Sequence, residues 1–408
     1  MKMLYISQYF HPEIGATTNR ALANVRYLAN KGHEITVLTE MPNHPRGIIF
    51  NGYRRKIFKT EKMENFTVNR IWVFTRPKKT FMTRILFYTS FLFLGILHTV
   101  LNWKHYDLVY LTSPPLFVGS IGLNLKKIFH KTKLIVEIRD LWPDAAIEMG
   151  ELNNRLYANF SYRLEKRIYK HADHIIAVTE RFKERIINKD VLSHKISVVR
   201  NGSDLSFKKV QVPQSLMSKY NVDNNFIIVY AGNLGLAQNL QFVLDTAQIL
   251  ANTNILFLLI GTGPKEVELK EYAEENKILN VEFIGEIAKE NISEYLSLAD
   301  CGLIPLKNIK VFESTIPSKL FDYMSANLPI LLGVKGEAAE ILTESEAGIT
   351  YEPDNAQNLA DKIVYLQNNP KELEKMSKKG RAFVERNFNR NDLAKKLEKI
   401  IITEMENV

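Results

Sequence analysis

The sequence predicts an α/β protein built from two doubly wound parallel sheets, on three observations. Its 408 residues exceed what one hydrophobic core usually supports. Short apolar runs alternate with stretches of helical periodicity in both halves. The composition, 46% hydrophobic and 24% charged with no long biased tract, is that of an ordinary globular chain rather than a disordered one.

In the first half, KMLYIS, EITVLT, DLVYLT, KLIVEI, HIIAVT and KISVV read as buried strands. Between the first two, Ala21, Leu22, Val25, Leu28 and Ala29 repeat at helical spacing before Gly32. The second half repeats the alternation. FIIVYAG, ILFLLIG, VEFIG, CGLIPL and PILLG are its strands, and QNLQFVLDTAQILA, ISEYLSLA and SKLFDYMSA its helices. Periodicity lapses in NGSDLSFKKVQVPQS, residues 201–215, so the expected domains are 1–205 and 206–384, with a terminal helix at 385–408 packed back on the first. Such sheets bind ligands at the carboxyl ends of their strands, which predicts a site in a central cleft faced by both domains.

Residues 85–103, ILFYTSFLFLGILHTVLNW, hold no Asp, Glu, Lys or Arg and follow Arg76, Lys78, Lys79 and Arg84. Length alone permits a membrane span. A fully buried helix and a surface-lying membrane helix are the other readings, the last favoured by charge. Residues 1–205 hold 32 Lys and Arg against 17 Asp and Glu, and the net charge of the chain is +9. Nucleic acid, an anionic membrane surface or a phosphorylated substrate suits a basic half. The start of the chain has no charged, apolar and small-residue order of a signal peptide, so the expectation is a cytoplasmic protein. The single cysteine, Cys301, lies in an apolar run and reads as core.

The chemistry concentrates in ESTIPSKLFDYMSANLPI, residues 313–330. Ser318 is expected to cap a helix whose free amides, with Lys319, bind phosphate, and Asp322 one turn on suits ribose hydroxyls. AGNLGLAQN and IGTGPK, each after a strand, supply Gly232, Gly235 and Gly261 for close backbone approach to a nucleoside diphosphate. In the first half HPEIGATTNR offers Gly15 near the same diphosphate, with Thr17 or Thr18 as helix cap. Neither GxGxxG nor GxxxxGK[ST] occurs, which argues against nicotinamide, flavin and P-loop chemistry. Asp-x-Asp is also absent, and none of the nine histidines, His11 and His44 included, makes a convincing metal pair. EIRDLWPDA sets Arg139 and Asp140 at a strand's carboxyl end, either as ligand contacts or as an ion pair fixing a loop.

Together AGNLGLAQN, LIGTGP, PSKLFDYMSANLPI, HPEIGAT, MPNHPRG and RDLWPD resemble the GT-B glycosyltransferases of family 4 over nearly the whole chain. The resemblance is strongest to a bacterial branch similar to N-acetyl-L-fucosaminyl transferases of O-antigen and capsule assembly. It implies two Rossmann-like domains facing a central cleft. The carboxyl domain would hold a UDP-sugar and the amino domain a polyprenyl-diphosphate-linked saccharide at the inner membrane leaflet. Transfer would proceed with retention and without metal or further cofactor. The family's ribose-binding glutamate falls on Asp322 and its first motif acid on Ser314, beside Glu313. The arginine and lysine that clasp the diphosphate in many members fall on Asn233 and Gln238. That leaves Lys319, with the amides around Ser318 and Gly235, as counter-charge for the leaving group. Asp140 or Glu137 would orient the acceptor hydroxyl, with His44 and Arg139 on the acceptor side. A sugar-nucleotide epimerase and a non-enzymatic nucleotide-sugar or nucleic-acid binder are the alternatives. The aromatic-rich stretch is uninterrupted by charge, against nucleic acid.

Overall fold

The computed structural model describes every residue except 45, 78, 79, 204, 289, 407 and 408, and the side chain of Phe81. The chain divides into two compact units, Met1–Asn201 with Arg390–Val408, and Gly202–Asn389. The expected limits at 205 and 385 therefore move by a few residues.

The first unit runs β1 (Lys2–Ile6), α1 (Ala16–Asn30), β2 (Glu34–Glu40), β3 (Phe58–Met63), β4 (Phe66–Ile71), α2 (Phe81–Leu101) and β5 (Leu108–Ser113). It continues through α3 (Leu116–Ile128), β6 (Lys133–Ile138), α4 (Asp144–Glu148), α5 (Arg155–His171), β7 (His174–Ala177), α6 (Glu180–Ile187) and β8 (Ile196–Val198). The sheet order is β3-β4-β2-β1-β5-β6-β7-β8, parallel throughout except for the β3–β4 hairpin. Strands buried at every position, such as β5, are what a parallel sheet covered on both faces requires.

The antiparallel hairpin corrects the all-parallel expectation. FKTEKM is an edge strand with two lysines and a glutamate, so it shows no apolar run. Its only sequence signal is period-two alternation about the tight turn at Glu64, whose φ is +48°.

The second unit runs α7 (Gln214–Tyr220), β9 (Phe226–Ala231), α8 (Leu240–Ile249), β10 (Ile255–Ile260), α9 (Glu266–Glu275), β11 (Val281–Gly285), α10 (Ile292–Leu298) and β12 (Cys301–Pro305). Then follow α11 (Ser318–Ser325), β13 (Ile330–Gly333), α12 (Glu337–Ser345), β14 (Gly348–Thr350), α13 (Ala356–Gln367) and α14 (Pro370–Asn387). All six strands are parallel, in the order β11-β10-β9-β12-β13-β14. The three-residue β14 is too short to have been read from periodicity. Cys301 is buried in this core. The last helix, α15 (Arg390–Glu406), returns to the first unit, where Leu397 and Ile401 join Val25, Leu28 and Val37 in one buried cluster.

Helix α2 is capped by a reciprocal Thr80–Thr83 box. It packs on α3, yet only 22% of its most apolar window is buried. Met82, Leu86, Phe93, Leu97 and Leu101 are exposed along it, which overturns the fully buried reading. Of its basic flank, Arg76 and Arg84 are exposed, while Lys78 and Lys79 lie outside the described residues.

Candidate functional site

In the second unit the site grows from the loop that ends β9. Tyr230 and Tyr323 anchor it from below. The Tyr230 hydroxyl donates to the Asn233 carbonyl at 2.6 Å, and Ala231 N donates to the Tyr323 hydroxyl at 3.0 Å. Alongside, the loop that ends β10 is laced to it: Gly232 N to Ile260 O at 2.8 Å, Leu234 N to Thr262 O at 3.0 Å, and Lys265 N to Leu234 O at 2.9 Å. Gly261 has a φ of +124°, and a Cβ there would collide with the Gly232 carbonyl, so no side chain is admissible at this junction.

Lys319 reaches this loop from α11. Leu320, Phe321 and Met324 bury one face of the helix and fix its direction. The Lys319 Nζ then lies 4.9 Å from the Tyr230 ring centroid. A Cβ on Gly232 would stand 2.5 Å from the same Nζ. Glycine at 232 thus leaves the room that the end of the lysine occupies. Burial lowers the Lys319 amine to about 8, partly countered by the Asp322 carboxylate. The result is a half-buried cation at the carboxyl end of the sheet, held against an aromatic face, where an anion would restore its charge.

Asn233 and Gln238 flank Gly235, whose Cβ would stand 2.9 Å from the Gln238 Oε1. That oxygen is buried and, among the described residues, has no hydrogen-bond partner. A buried, unpaired amide oxygen in such a loop is a group that a ligand hydroxyl can satisfy. Ser314 is buried in a single turn of 3₁₀ helix, Lys310–Ser314, and Asp322 is half-buried on α11.

Two capping expectations fail. Pro317 is the N-cap of α11, and Ser318 is its first helical residue without a side-chain cap bond. Proline there leaves Ser318 to offer its backbone amide instead. Likewise Gly15 caps α1, so Thr17 and Thr18 lie inside the helix, Thr18 buried. A Cβ at Gly15 would meet nothing within 4 Å, so packing does not demand glycine there.

In the first unit, Arg139 and Asp140 follow β6 and are half-buried. Desolvation pushes the Asp140 carboxyl up to about 6, against the pull of the Leu141 amide and Arg139. Desolvation also lowers Arg139, whose buried Nε has no partner among the described residues. The buried ion pair in this stretch is a different one. Glu137 accepts from Arg20 Nε and from the Tyr110 hydroxyl, each at 2.8 Å. Arg20 also donates to the carbonyls of Val199 and Arg200 at 2.8 and 2.6 Å. Glu137 is thus committed to the core and is withdrawn as an acceptor-orienting group.

Sequence reasoning missed Glu13. Its Oε1 accepts the backbone N–H groups of Asn43 and His44 at 2.7 and 2.8 Å, so it shapes the MPNHPRG segment and positions His44, whose ring meets Tyr9 edge-on at 5.6 Å. Its one sequence signal is an acid inside an otherwise uncharged post-strand loop. Among the described residues no cluster of three or more His, Cys, Asp or Glu is placed to hold a metal.

Two doubly wound units in series, the second with a cation and glycine loops at the carboxyl ends of its strands, define a GT-B architecture. Residues 15–202 match the family described as "Glycosyl transferase 4-like domain" and residues 214–383 "Glycosyl transferases group 1". The chain belongs to the group 1 glycosyltransferases. It is 24% identical to WcaI of Escherichia coli K12, named as a colanic acid biosynthesis glycosyl transferase, over 80% of this chain and 81% of that one. It is 24% identical to the Staphylococcus aureus capsular polysaccharide biosynthesis glycosyltransferase CapM, over 59% and 64%. Its fold is similar to Anabaena HepE in complex with UDP, at a TM-score of 0.73 and 14% identity over 99% and 100% of the two chains. WaaG, a glycosyltransferase involved in lipopolysaccharide biosynthesis, gives 0.68 and 15% over 98% and 99%.

Proposed function

We propose that this glycosyltransferase moves a sugar from a UDP-sugar to a polyprenyl-diphosphate-linked saccharide in bacterial surface polysaccharide synthesis, at the inner face of the membrane. The single observation that carries the reading is Lys319, a cation with a depressed pKa beside Gly232 at the carboxyl end of the second sheet. It suits the diphosphate of a nucleotide-sugar, with Asp322 on ribose and Gln238 on a sugar hydroxyl. UDP in the similar HepE, and the polysaccharide roles named for WcaI and CapM, support the donor and pathway class. The resemblance to N-acetyl-L-fucosaminyl transferases supports that sugar, and rests on motifs alone.

In this reading the acceptor oxygen forms its bond to the anomeric carbon as the bond to the β-phosphate oxygen breaks, and the departing phosphate takes the acceptor proton. Lys319 stabilises the charge that develops on the leaving diphosphate. Asp140 orients the acceptor hydroxyl, with Arg139 and His44 on the acceptor side. No metal takes part. The exposed apolar stripe of α2 supports membrane association through the first unit.

The test is nucleotide release over a panel of UDP- and GDP-sugars with a lipid-linked saccharide acceptor, with and without chelator. Acceptor-dependent UDP release that survives chelation is the expected result. Release from no donor, or from GDP-sugars alone, would overturn it.

A further inference from the structure

Apart from the donor-side residues, the first unit carries a cavity of about 260 Å³ lined by Tyr9, Phe74, Arg76, Arg84, Phe87 and Tyr88. Sites for whole drug-sized ligands run to several hundred Å³, so this one has room for a head group or part of a chain. Its walls are the segments after β1 and β4 and the first two turns of α2. Each wall is pinned. Phe74 N donates to Ser90 Oγ at 2.9 Å, and Thr75 Oγ1 to Asn43 Oδ1 at 3.0 Å. The Phe87 ring lies beside those of Tyr9 and Tyr88, with centroids 6.4 and 5.3 Å away. A Cβ at Gly47 would collide with the Arg76 carbonyl, so the MPNHPRG segment presses directly on the cavity's rim.

The cavity's lining residues include two guanidinium groups and no acid. Arg76 lies 5.4 Å from the Phe74 ring centroid. Arg84 pairs with Glu151 at 3.1 Å, with the two side chains 49% and 33% exposed. An exposed pair of this kind is weak and can give way to a phosphate, which offers a guanidinium two parallel hydrogen bonds. From the same turn of α2 the exposed stripe Met82, Leu86, Phe93, Leu97 and Leu101 departs, extending roughly 28 Å at 1.5 Å per residue. Positive charge at the head of an apolar track matches an amphiphile with an anionic head.

We propose that this cavity seats the phosphate head of a polyprenyl phosphate or diphosphate, with Arg76 and Arg84 as counter-ions and the α2 stripe carrying the first isoprenoid units. The proposal rests on the lipid-linked acceptor of the preceding section and locates that acceptor's carrier.

The probes are farnesyl diphosphate, farnesol and inorganic pyrophosphate, titrated into the full chain by calorimetry. The wild type is expected to bind farnesyl diphosphate at least tenfold more tightly than either fragment. The double variant Arg76→Gln, Arg84→Gln should lose at least tenfold for farnesyl diphosphate and stay within twofold for farnesol and for UDP. Phe93→Ser should weaken both farnesyl probes and leave pyrophosphate unchanged. Unaltered farnesyl diphosphate binding in the double variant overturns the seat. So does an equal loss on phosphatidylglycerol vesicles, which would assign the arginines to the bulk membrane surface. If the wild type transfers sugar to no lipid-linked acceptor while arginine-dependent binding persists, the acceptor reading falls and the seat stands. If transfer occurs and the double variant keeps the wild-type KM for a lipid-linked acceptor, the seat alone falls.

Discussion

Raising the pH from 7 to 9 should weaken UDP binding about tenfold, and Lys319→Met should abolish that dependence. With the Lys319 amine lowered to about 8, roughly ten-elevenths of the free protein carries the charge at pH 7 and roughly one-eleventh at pH 9. The terminal phosphate of UDP is already mostly ionised at pH 7, so the ligand supplies little compensating change. The loss is therefore about 1.4 kcal/mol, provided the bound amine stays protonated. Calorimetry in buffers of different ionisation enthalpy reads it directly. Proton uptake on binding should be near zero at pH 7 and approach one at pH 9. Lys319→Met should bind UDP more weakly at pH 7, lower turnover on the order of 10²-fold, and show no uptake. Stability moves the other way. The folded state binds this proton less well than the unfolded state, so the ligand-free wild type gains stability as pH rises from about 8 to 10.5. Lys319→Met should already be the more heat-resistant protein at pH 7, as expected where a functional group is held at a cost to the fold. UDP affinity that is flat between pH 7 and 9, or a methionine variant that retains the slope, would refute the placement of the diphosphate on Lys319.

Asp322→Ala should shrink the UDP-induced rise in Tm, since a ligand stabilises only in proportion to its affinity; an unchanged rise would remove the ribose role. Asp140, raised to about 6 by burial, is charged at a cost above that pH, so Asp140→Asn should raise Tm more at pH 7.5 than at pH 4. If its carboxylate orients the acceptor, the wild-type rate falls on the acid side of about pH 6, and the asparagine variant is slow without that limb. Glu137→Ala strands Arg20 in the core and should cost about 3–5 kcal/mol in denaturant unfolding; a loss under 1 kcal/mol would mean the pair is solvated. Replacing Phe93 and Leu97 by serine should reduce the salt-insensitive part of liposome binding at least tenfold and leave the salt-screened part unchanged; an equal loss of both parts would contradict that division.

The sequence by itself determined the two doubly wound sheets, because strands buried on both faces must be apolar at nearly every position, and that requirement is written along the chain. It also picked out residues of the second unit that the fold brings together. Helix starts, glycine loops and a lysine next to a capping position are local features, and Gly232, Gly261 and Lys319 do converge in space. The β3–β4 hairpin was not legible, since an edge strand carries charge and reads as loop. Nor was the choice of cap at Ser318 or Thr17, which turns on one residue's φ and ψ rather than on residue type. Tertiary structure alone decided the fates of the acids. Glu137 and Asp140 lie three residues apart on one strand end, yet one meets Arg20 and Tyr110 in the core while the other keeps a destabilised charge. Partners 117 and 27 residues away in the chain made that distinction. The same holds for α2, whose apolar sequence suits a core, a membrane surface or a span alike. Only the packing of α3 against one side, and of nothing described against the side bearing Phe93 and Leu97, removed the core reading, because hydrophobicity specifies burial but not the medium that supplies it.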